Sequence, residues 1–293
     1  MRKFEKNWSA HSTGTDVPLN LMYITNIPSV ALTAEKNGVN RIMIDLETMG
    51  KDERQKNMDT VKSHHTVSDV ALMSDVLTSS ELLVRVNPWY EGSASEIESV
   101  ITAGADRIML PMWKTVSEVE CFLKTVNGRV GTTLLLETKE AVEIIDDVLK
   151  NPLLDEIHIG LNDLHLSYGL TFMFELLSNG VVESLCKKFN SKGIQYGFGG
   201  IARIGEGTLP AERIVMEHYR LGSTRVILSR SFCDTREISD IKAVEEIFSE
   251  NMVRLREYEK SLAFKTENEY ADNIQAVKRC VSEIVSKIME RKS

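Results

Sequence analysis

The sequence contains no run of about eighteen apolar residues, so no segment reads as a membrane-spanning helix. Cysteine is scarce and unorganised. Cys121, Cys186, Cys233 and Cys280 lie far apart without CxxC spacing, which excludes a dense disulfide framework and a zinc-ribbon pattern; reduced thiols are the expectation. Positive charge is in deficit, with a formal net charge of −8, and this disfavours a sequence-independent grip on nucleic acid, which needs clustered Lys and Arg to displace counterions. The opening MRKFEKNWSAHSTGTDVP has a basic start but no apolar stretch behind it and does not read as a secretory signal, so the cytoplasm is the expected compartment. Low-complexity tracts are also missing.

The 293 residues are 42% apolar and 27% charged, an ordinary globular balance that can support a large core. Eight short apolar runs rich in β-branched residues recur, at 19–25, 41–47, 81–87, 107–112, 131–137, 156–162, 195–201 and 225–231. Amphipathic stretches such as 95–105, 117–128 and 139–151 separate them, with Gly or Asn near their ends as helix stops. Eight βα units predict an α/β fold of the (β/α)₈ TIM barrel type. A doubly wound sheet fits less well, because only TNIPSV follows the first strand, where a dinucleotide fingerprint would stand.

The connection at 48–66 is long and polar and is expected to form a surface loop or lid over the barrel mouth. Two helical stretches follow the eighth run. At about 240–262, Ile241, Val244, Phe248, Met252, Leu255 and Leu262 share one face and suit the barrel's closing helix. At about 268–291, Tyr270, Ile274, Val277, Val281, Ile284 and Ile288 recur at 4-3-4-3-4 spacing. That seam must be buried, either on its own barrel or in a homo-oligomer formed through the C-terminal helices. Residues 1–262 are therefore expected to form the barrel and 263–293 a C-terminal helical extension.

In barrels the chemistry sits at the C-terminal ends of the strands. Here several apolar runs end in charge: Asp45 and Glu47 after the second, Glu137 after the fifth and Asp163 after the sixth, with Arg85 inside the third. A buried carboxylate is costly unless a cation or metal neutralises it. Ion pairs that close the barrel would account for each residue singly; together, carboxylates beside an arginine suit a hard cation such as Mg²⁺ or Mn²⁺.

The segments IDLE, LLVRVNP, AGADRIMLPM, LLLETKEAV and IHIGLNDLHLSYGL resemble, in this order, the motifs of the HpcH/HpaI aldolase and citrate lyase β-subunit family, over roughly 20–235. The resemblance implies that Glu137 and Asp163 are the two metal-binding carboxylates. It implies a barrel that binds pyruvate or a related 2-oxo acid and makes or consumes its enolate, with an aldehyde as the other reactant. Arg85 would stabilise charge on the keto oxygen, Asp45 and Glu47 would orient Arg85 or a water, and the backbone near Asn162 and Asp163 would receive the substrate carboxylate. HpaI-like members carry a histidine after the acidic motif, where this chain has Thr48, a poor base near neutral pH. His165, His64 and His65 are the stand-ins for proton transfer.

After the seventh run, YGFGGIARIGEG lacks the strict G-x-G-x-x-G order. Barrel loops at this position often hold phosphate, so Gly199, Gly200 and Arg203 are candidates to grip an anionic part of the substrate; glycines for close packing and a surface arginine are the plainer reading. Lys114 and Lys139 would serve a Schiff-base aldolase only from a desolvated interior position. The expected activity is metal-dependent carbon–carbon bond cleavage or formation. Claisen-type chemistry on a carboxylate or CoA ester, or a barrel that has lost catalysis, remain as alternatives.

Overall fold

A computed structural model describes residues 17–50, 65–235, 237–238 and 240–291. Strands β1 (Asn20–Ile24), β2 (Arg41–Asp45), β3 (Glu81–Arg85), β4 (Arg107–Leu110), β5 (Gly131–Leu136), β6 (Glu156–Ile159), β7 (Gln195–Ile201) and β8 (Arg225–Leu228) close a parallel barrel in sequence order. The fold is the expected (β/α)₈ TIM barrel with C-terminal helices. Among the described residues no helix is long and apolar enough to cross a membrane. Most of the expected lid, residues 51–64, lies outside the described residues.

The intervening helices are α1 (Pro28–Lys36), α2 (Val67–Val76), α3 (Ser93–Thr102), α4 (Val116–Val126), α5 (Lys139–Glu143), α6 (Ile145–Val148), α7 (Leu161–Ser167), α8 (Glu175–Ser178), α9 (Val181–Ser191) and α10 (Ala211–Leu221). Helices α11 (Ile241–Leu262) and α12 (Glu267–Glu290) follow β8. Their starts are written in local chemistry. Thr66, Thr115 and Thr266 each close a capping box with the acid three residues on, and α4 stops where Asn127 turns left-handed.

Several strands are shorter than their apolar runs. β4 ends at Leu110 rather than 112, because Pro111 has no N–H for the ladder and Met112 adopts a φ of 54°. β6 ends at Ile159 rather than 162, where Gly160 caps α7. The expected helix at 139–151 is two short ones, α5 and α6, which meet at Ile144.

The chain divides into two compact units, residues 22–157 and residues 158–291 together with 17–21. In the first, the starts of the strands carry a buried charge network. The Arg41 guanidinium donates to both oxygens of Glu156, at 2.6 and 2.9 Å, and also to Glu81. Arg107 Nε donates to Glu81 (2.9 Å), its Nη1 donates to the Thr132 carbonyl (2.7 Å), and Thr133 Oγ1 donates to Glu156 (3.1 Å). Gly131 makes room for this layer, since a Cβ there would lie 2.7 Å from the Arg107 guanidinium carbon. Burial opposes the charge on Arg41, but Glu156 and Glu81 outweigh it and hold the guanidinium more firmly protonated than usual.

In the second unit, Glu259 of α11 accepts the Leu19 N–H (2.8 Å) while Arg256 donates to the Leu19 carbonyl (3.0 Å), which fastens the start of β1 to the closing helix. The seam of α12 packs on α10 and α8 of its own unit. Val277, Val281 and Ala276 are buried there, whereas Tyr270, Ile274, Ile284 and Ile288 are half-buried. Asn273, missing from the apolar pattern, is buried and bonds the Arg213 carbonyl (3.1 Å) and Glu217 (2.9 Å) of α10.

His218 of α10 lies flat on Phe198, with ring centroids 3.8 Å apart, and its Nδ1 lies 2.8 Å from Ser223 Oγ. Burial, reinforced by His158, depresses its pKa well below the ordinary 6.5. The unfolded chain therefore binds a proton that the folded chain refuses. The stabilisation is present above about pH 6.5 and is lost as pH falls below that value, by at most about 1.4 kcal/mol per pH unit for one site. A His218→Leu variant should show a flatter dependence of the denaturation midpoint between pH 7 and 5 than the wild type. Parallel curves would show that His218 is not the titrating group.

Candidate active site

The first unit assembles four of the expected residues at the C-terminal ends of its strands. Asp45 and Arg85 are register partners on β2 and β3, so the strand pairing itself sets them side by side. Arg85 Nε donates to Asp45 Oδ1 and Nη2 to Oδ2, each at 2.8 Å, the planar fork-to-carboxylate geometry that lysine cannot make. Glu47 lies 3.3 Å from Arg85 Nη1, and its own N–H donates to Asp45 Oδ1 (3.2 Å). Burial opposes the Arg85 charge, but Asp45, Glu47 and Glu137 outweigh it and keep the guanidinium charged.

Glu137 directly follows β5 and is 3% exposed; Asp45 and Glu47 are 2% and 1% exposed. One Glu137 oxygen accepts the Met112 N–H at 3.1 Å. That contact comes from the turn in which Met112 takes its left-handed conformation. A non-glycine residue with such a φ costs about 1 kcal/mol or more, the kind of strain retained where a backbone group must point one way. The sequence offers no sign of it beyond Pro111.

Thr48 is exposed and already engaged. Its N–H and hydroxyl, together with the Met49 N–H, all donate to Asn87 Oδ1, at 2.9, 3.3 and 3.0 Å. Asn87 is in turn oriented by Glu96 of α3, which accepts from its side-chain amide at 2.8 Å. Thr48 thus anchors the start of the long connection. Of the stand-in histidines, His64 lies outside the described residues, and His65 Nδ1 accepts the Asp45 N–H at 3.0 Å. Lys114 and Lys139 are exposed, and Lys114 lies 4.0 Å from Glu140, so neither occupies the desolvated position that a Schiff base needs.

The second unit holds the remaining candidates. Asp163 follows β6, the strand after β5 in the barrel order. Asn162 and Asp163 stand in the first turn of α7 rather than in a strand-to-loop junction, which corrects the expected strand end at 162. His165 is buried on the same helix and donates from Nδ1 to the Leu161 carbonyl (3.2 Å). Gly199 has a φ of 54° at an irregularity in the β7–β8 pairing, and a Cβ there would lie 2.7 Å from Leu161 Cδ1. Its carbonyl accepts from Nε2 of His158, a buried residue on β6 that carries no strand-end or motif signal in the sequence. Gly200 sits 3.3 Å, measured from an ideal Cβ, from the Ile227 carbonyl. Arg203 donates from Nε to the Phe232 carbonyl (2.7 Å) and faces Glu206 at 3.5 Å, so it ties the segment after β7 to the segment after β8.

Among the described residues no three His, Cys, Asp or Glu side chains are arranged to hold a metal by protein atoms alone. The donor chemistry at Glu137 nevertheless fits a hard divalent cation: a buried carboxylate at a strand end, in the kind of site where substrate or water oxygens complete the coordination.

A model of the HpcH/HpaI aldolase/citrate lyase family matches residues 21–175. No curated protein matches the sequence. Among solved structures, the barrel is similar to an HpcH/HpaI aldolase/citrate lyase family protein from Burkholderia cenocepacia J2315, with a TM-score of 0.56 and 15% identity, covering 79% of this chain and 95% of that one. An HpcH/HpaI aldolase from Desulfitobacterium hafniense DCB-2 aligns with a TM-score of 0.57 at 15% identity, covering 78% and 93%. Citrate synthase SbnG aligns with a TM-score of 0.55 at 18% identity, covering 78% and 94%. At these identities the structures speak for the fold, while the family match spans more than half of the chain and includes every strand from β2 to β6. The chain belongs to the HpcH/HpaI aldolase/citrate lyase family.

Proposed function

We propose that the protein is a divalent-metal-dependent carbon–carbon lyase that forms or consumes the enolate of pyruvate or a related 2-oxo acid. The observation that carries this reading is the Arg85 clamp: a half-buried guanidinium held by the buried carboxylates of Asp45 and Glu47, with Glu137 near enough to act on its charge, at the ends of the strands. A guanidinium carries more N–H donors than these contacts use, so Arg85 keeps donors for the oxygen on which negative charge develops.

On the family pattern, Glu137 and Asp163 would hold Mg²⁺ or Mn²⁺, which supplies Lewis acidity at the substrate's keto oxygen. Asp45 fixes the plane of the Arg85 guanidinium, so no reorganisation is needed as the enolate forms. The Met112 N–H aims one Glu137 oxygen and leaves the carboxylate's orientation little freedom. The substrate carboxylate would lie beside Asn162 and Asp163. Proton transfer is assigned to His165, since Thr48 is engaged by Asn87. Gly199, Gly200 and Arg203 would face the distal part of the substrate.

Deuterium exchange at C3 of pyruvate and other 2-oxo acids tests the proposal without knowledge of the second reactant. With Mg²⁺ or Mn²⁺ present, exchange should be catalysed, and EDTA should abolish it. Glu137→Ala should weaken metal binding, read by calorimetry, by about 10–100-fold or more. Absence of exchange with every 2-oxo acid, or metal affinity unchanged in Glu137→Ala, would remove the proposal's support. Adding aldehydes in one arm and CoA esters in another separates aldol from Claisen chemistry.

A further inference from the structure

We propose that His65 is a positioning residue for the acidic end of β2, acting through Nδ1 rather than as a proton-transfer group. What it positions rests on the active-site reading above; the contact itself does not.

Residues of β2 alternate in the neighbour they bond. Leu46 donates to the Arg85 carbonyl on the β3 side (2.8 Å), while Met43 accepts the Thr25 N–H on the β1 side (3.3 Å). The β1–β2 pairing ends at Ile24 and Met43, so the Asp45 N–H points to the side on which β1 has already run out. An amide left there without an acceptor would carry a full desolvation cost. His65 Nδ1 fills that place at 3.0 Å.

The ring is presented from a fixed base. Thr66, the next residue, is the N-cap of α2, and its N–H and hydroxyl both donate to Asp69, at 2.6 and 2.9 Å. His65 is separated from Asp45 by 20 residues, yet the helix start holds it against the strand end. Asp45 is thereby fixed at both its backbone and its carboxylate, and the second of these orients Arg85. Because Nδ1 accepts, the ring proton resides on Nε2 in the neutral imidazole, and the Nδ1 lone pair is not available to a substrate proton.

Side-chain mimicry separates the two nitrogens. Asparagine places an acceptor near the Nδ1 position, and glutamine places a polar group near Nε2. For His65→Asn we expect C3 exchange within about 3-fold of wild type, with a slowly exchanging Asp45 amide. For His65→Ala and His65→Gln we expect kcat to fall by about tenfold or more with metal affinity retained, and the Asp45 amide to exchange at least about tenfold faster. Nitrogen NMR of the wild-type imidazole should report the Nε2–H tautomer. Recovery by Gln rather than Asn, a Nδ1–H tautomer, or an Ala variant identical to wild type in both activity and amide exchange would overturn the proposal. Amide exchange and the tautomer are read without substrate, so a protein that fails to exchange any 2-oxo acid would refute the functional reading while leaving this one decided by NMR.

Discussion

Arg85→Ala is expected to slow metal-dependent C3 exchange by roughly 10²–10³-fold, the loss typical of removing one preorganised donor to a developing oxyanion. Asp45 grips the guanidinium through two parallel bonds and Glu47 approaches from the third nitrogen, so the remaining donors are held in place before substrate arrives. Arg85→Lys keeps the charge but cannot reproduce the fork, and it should recover no more than about a tenth of the wild-type rate. Removing Arg85 also leaves the buried Asp45 and Glu47 carboxylates without the guanidinium they pair with, so the melting temperature of Arg85→Ala should be measured alongside its rate. A folded Arg85→Ala protein that exchanges at half the wild-type rate would show that charge stabilisation resides elsewhere.

Glu156→Ala should destabilise the protein by about 3–5 kcal/mol, the usual cost of stripping one partner from a buried ion network. Glu156 is fully buried and receives both a bidentate Arg41 and the Thr133 hydroxyl, with Arg107 4.0 Å away. Without it, two guanidiniums that are 2% and 1% exposed would share Glu81. The double variant Arg41→Met with Glu156→Leu removes charge and counter-charge together and should cost less than Glu156→Ala alone, although it deletes more polar contacts. Urea denaturation of the three proteins decides it. If the double variant is the least stable, packing of these particular side chains matters more than the balance of charge.

The eight strands were legible because each is a compact apolar run whose composition differs from its flanks, and parallel barrel strands are buried on both faces. Their ends were less so. β4 and β6 stop early because Pro111 and Gly160 act on the backbone, an effect that a hydrophobicity pattern does not register. Within the site, Asp45, Glu47, Arg85 and Glu137 were legible as charge at the ends of apolar runs, and strand register alone brings Asp45 to Arg85. The Asn87 clasp on Thr48, the His65 bond to Asp45 and the Met112 bond to Glu137 were not. Each joins a side chain to a backbone amide 20 to 39 residues away, and such pairs leave no periodic trace. Along the α12 seam, Val277 and Val281 are buried and Tyr270, Ile274, Ile284 and Ile288 are half-buried, with α10 and α8 of its own unit packed on the helix.

The fastening of Leu19 by Glu259 and Arg256 has a consequence for how the molecule is made. The amide and carbonyl that open the first strand find these acceptor and donor groups 240 and 237 residues later. During synthesis, β1 emerges from the ribosome long before α11, and contacts of such sequence separation form slowly. The start of the barrel therefore waits on the closing helix, and a nascent chain arrested before residue 256 should expose that edge to chaperones or to proteolysis.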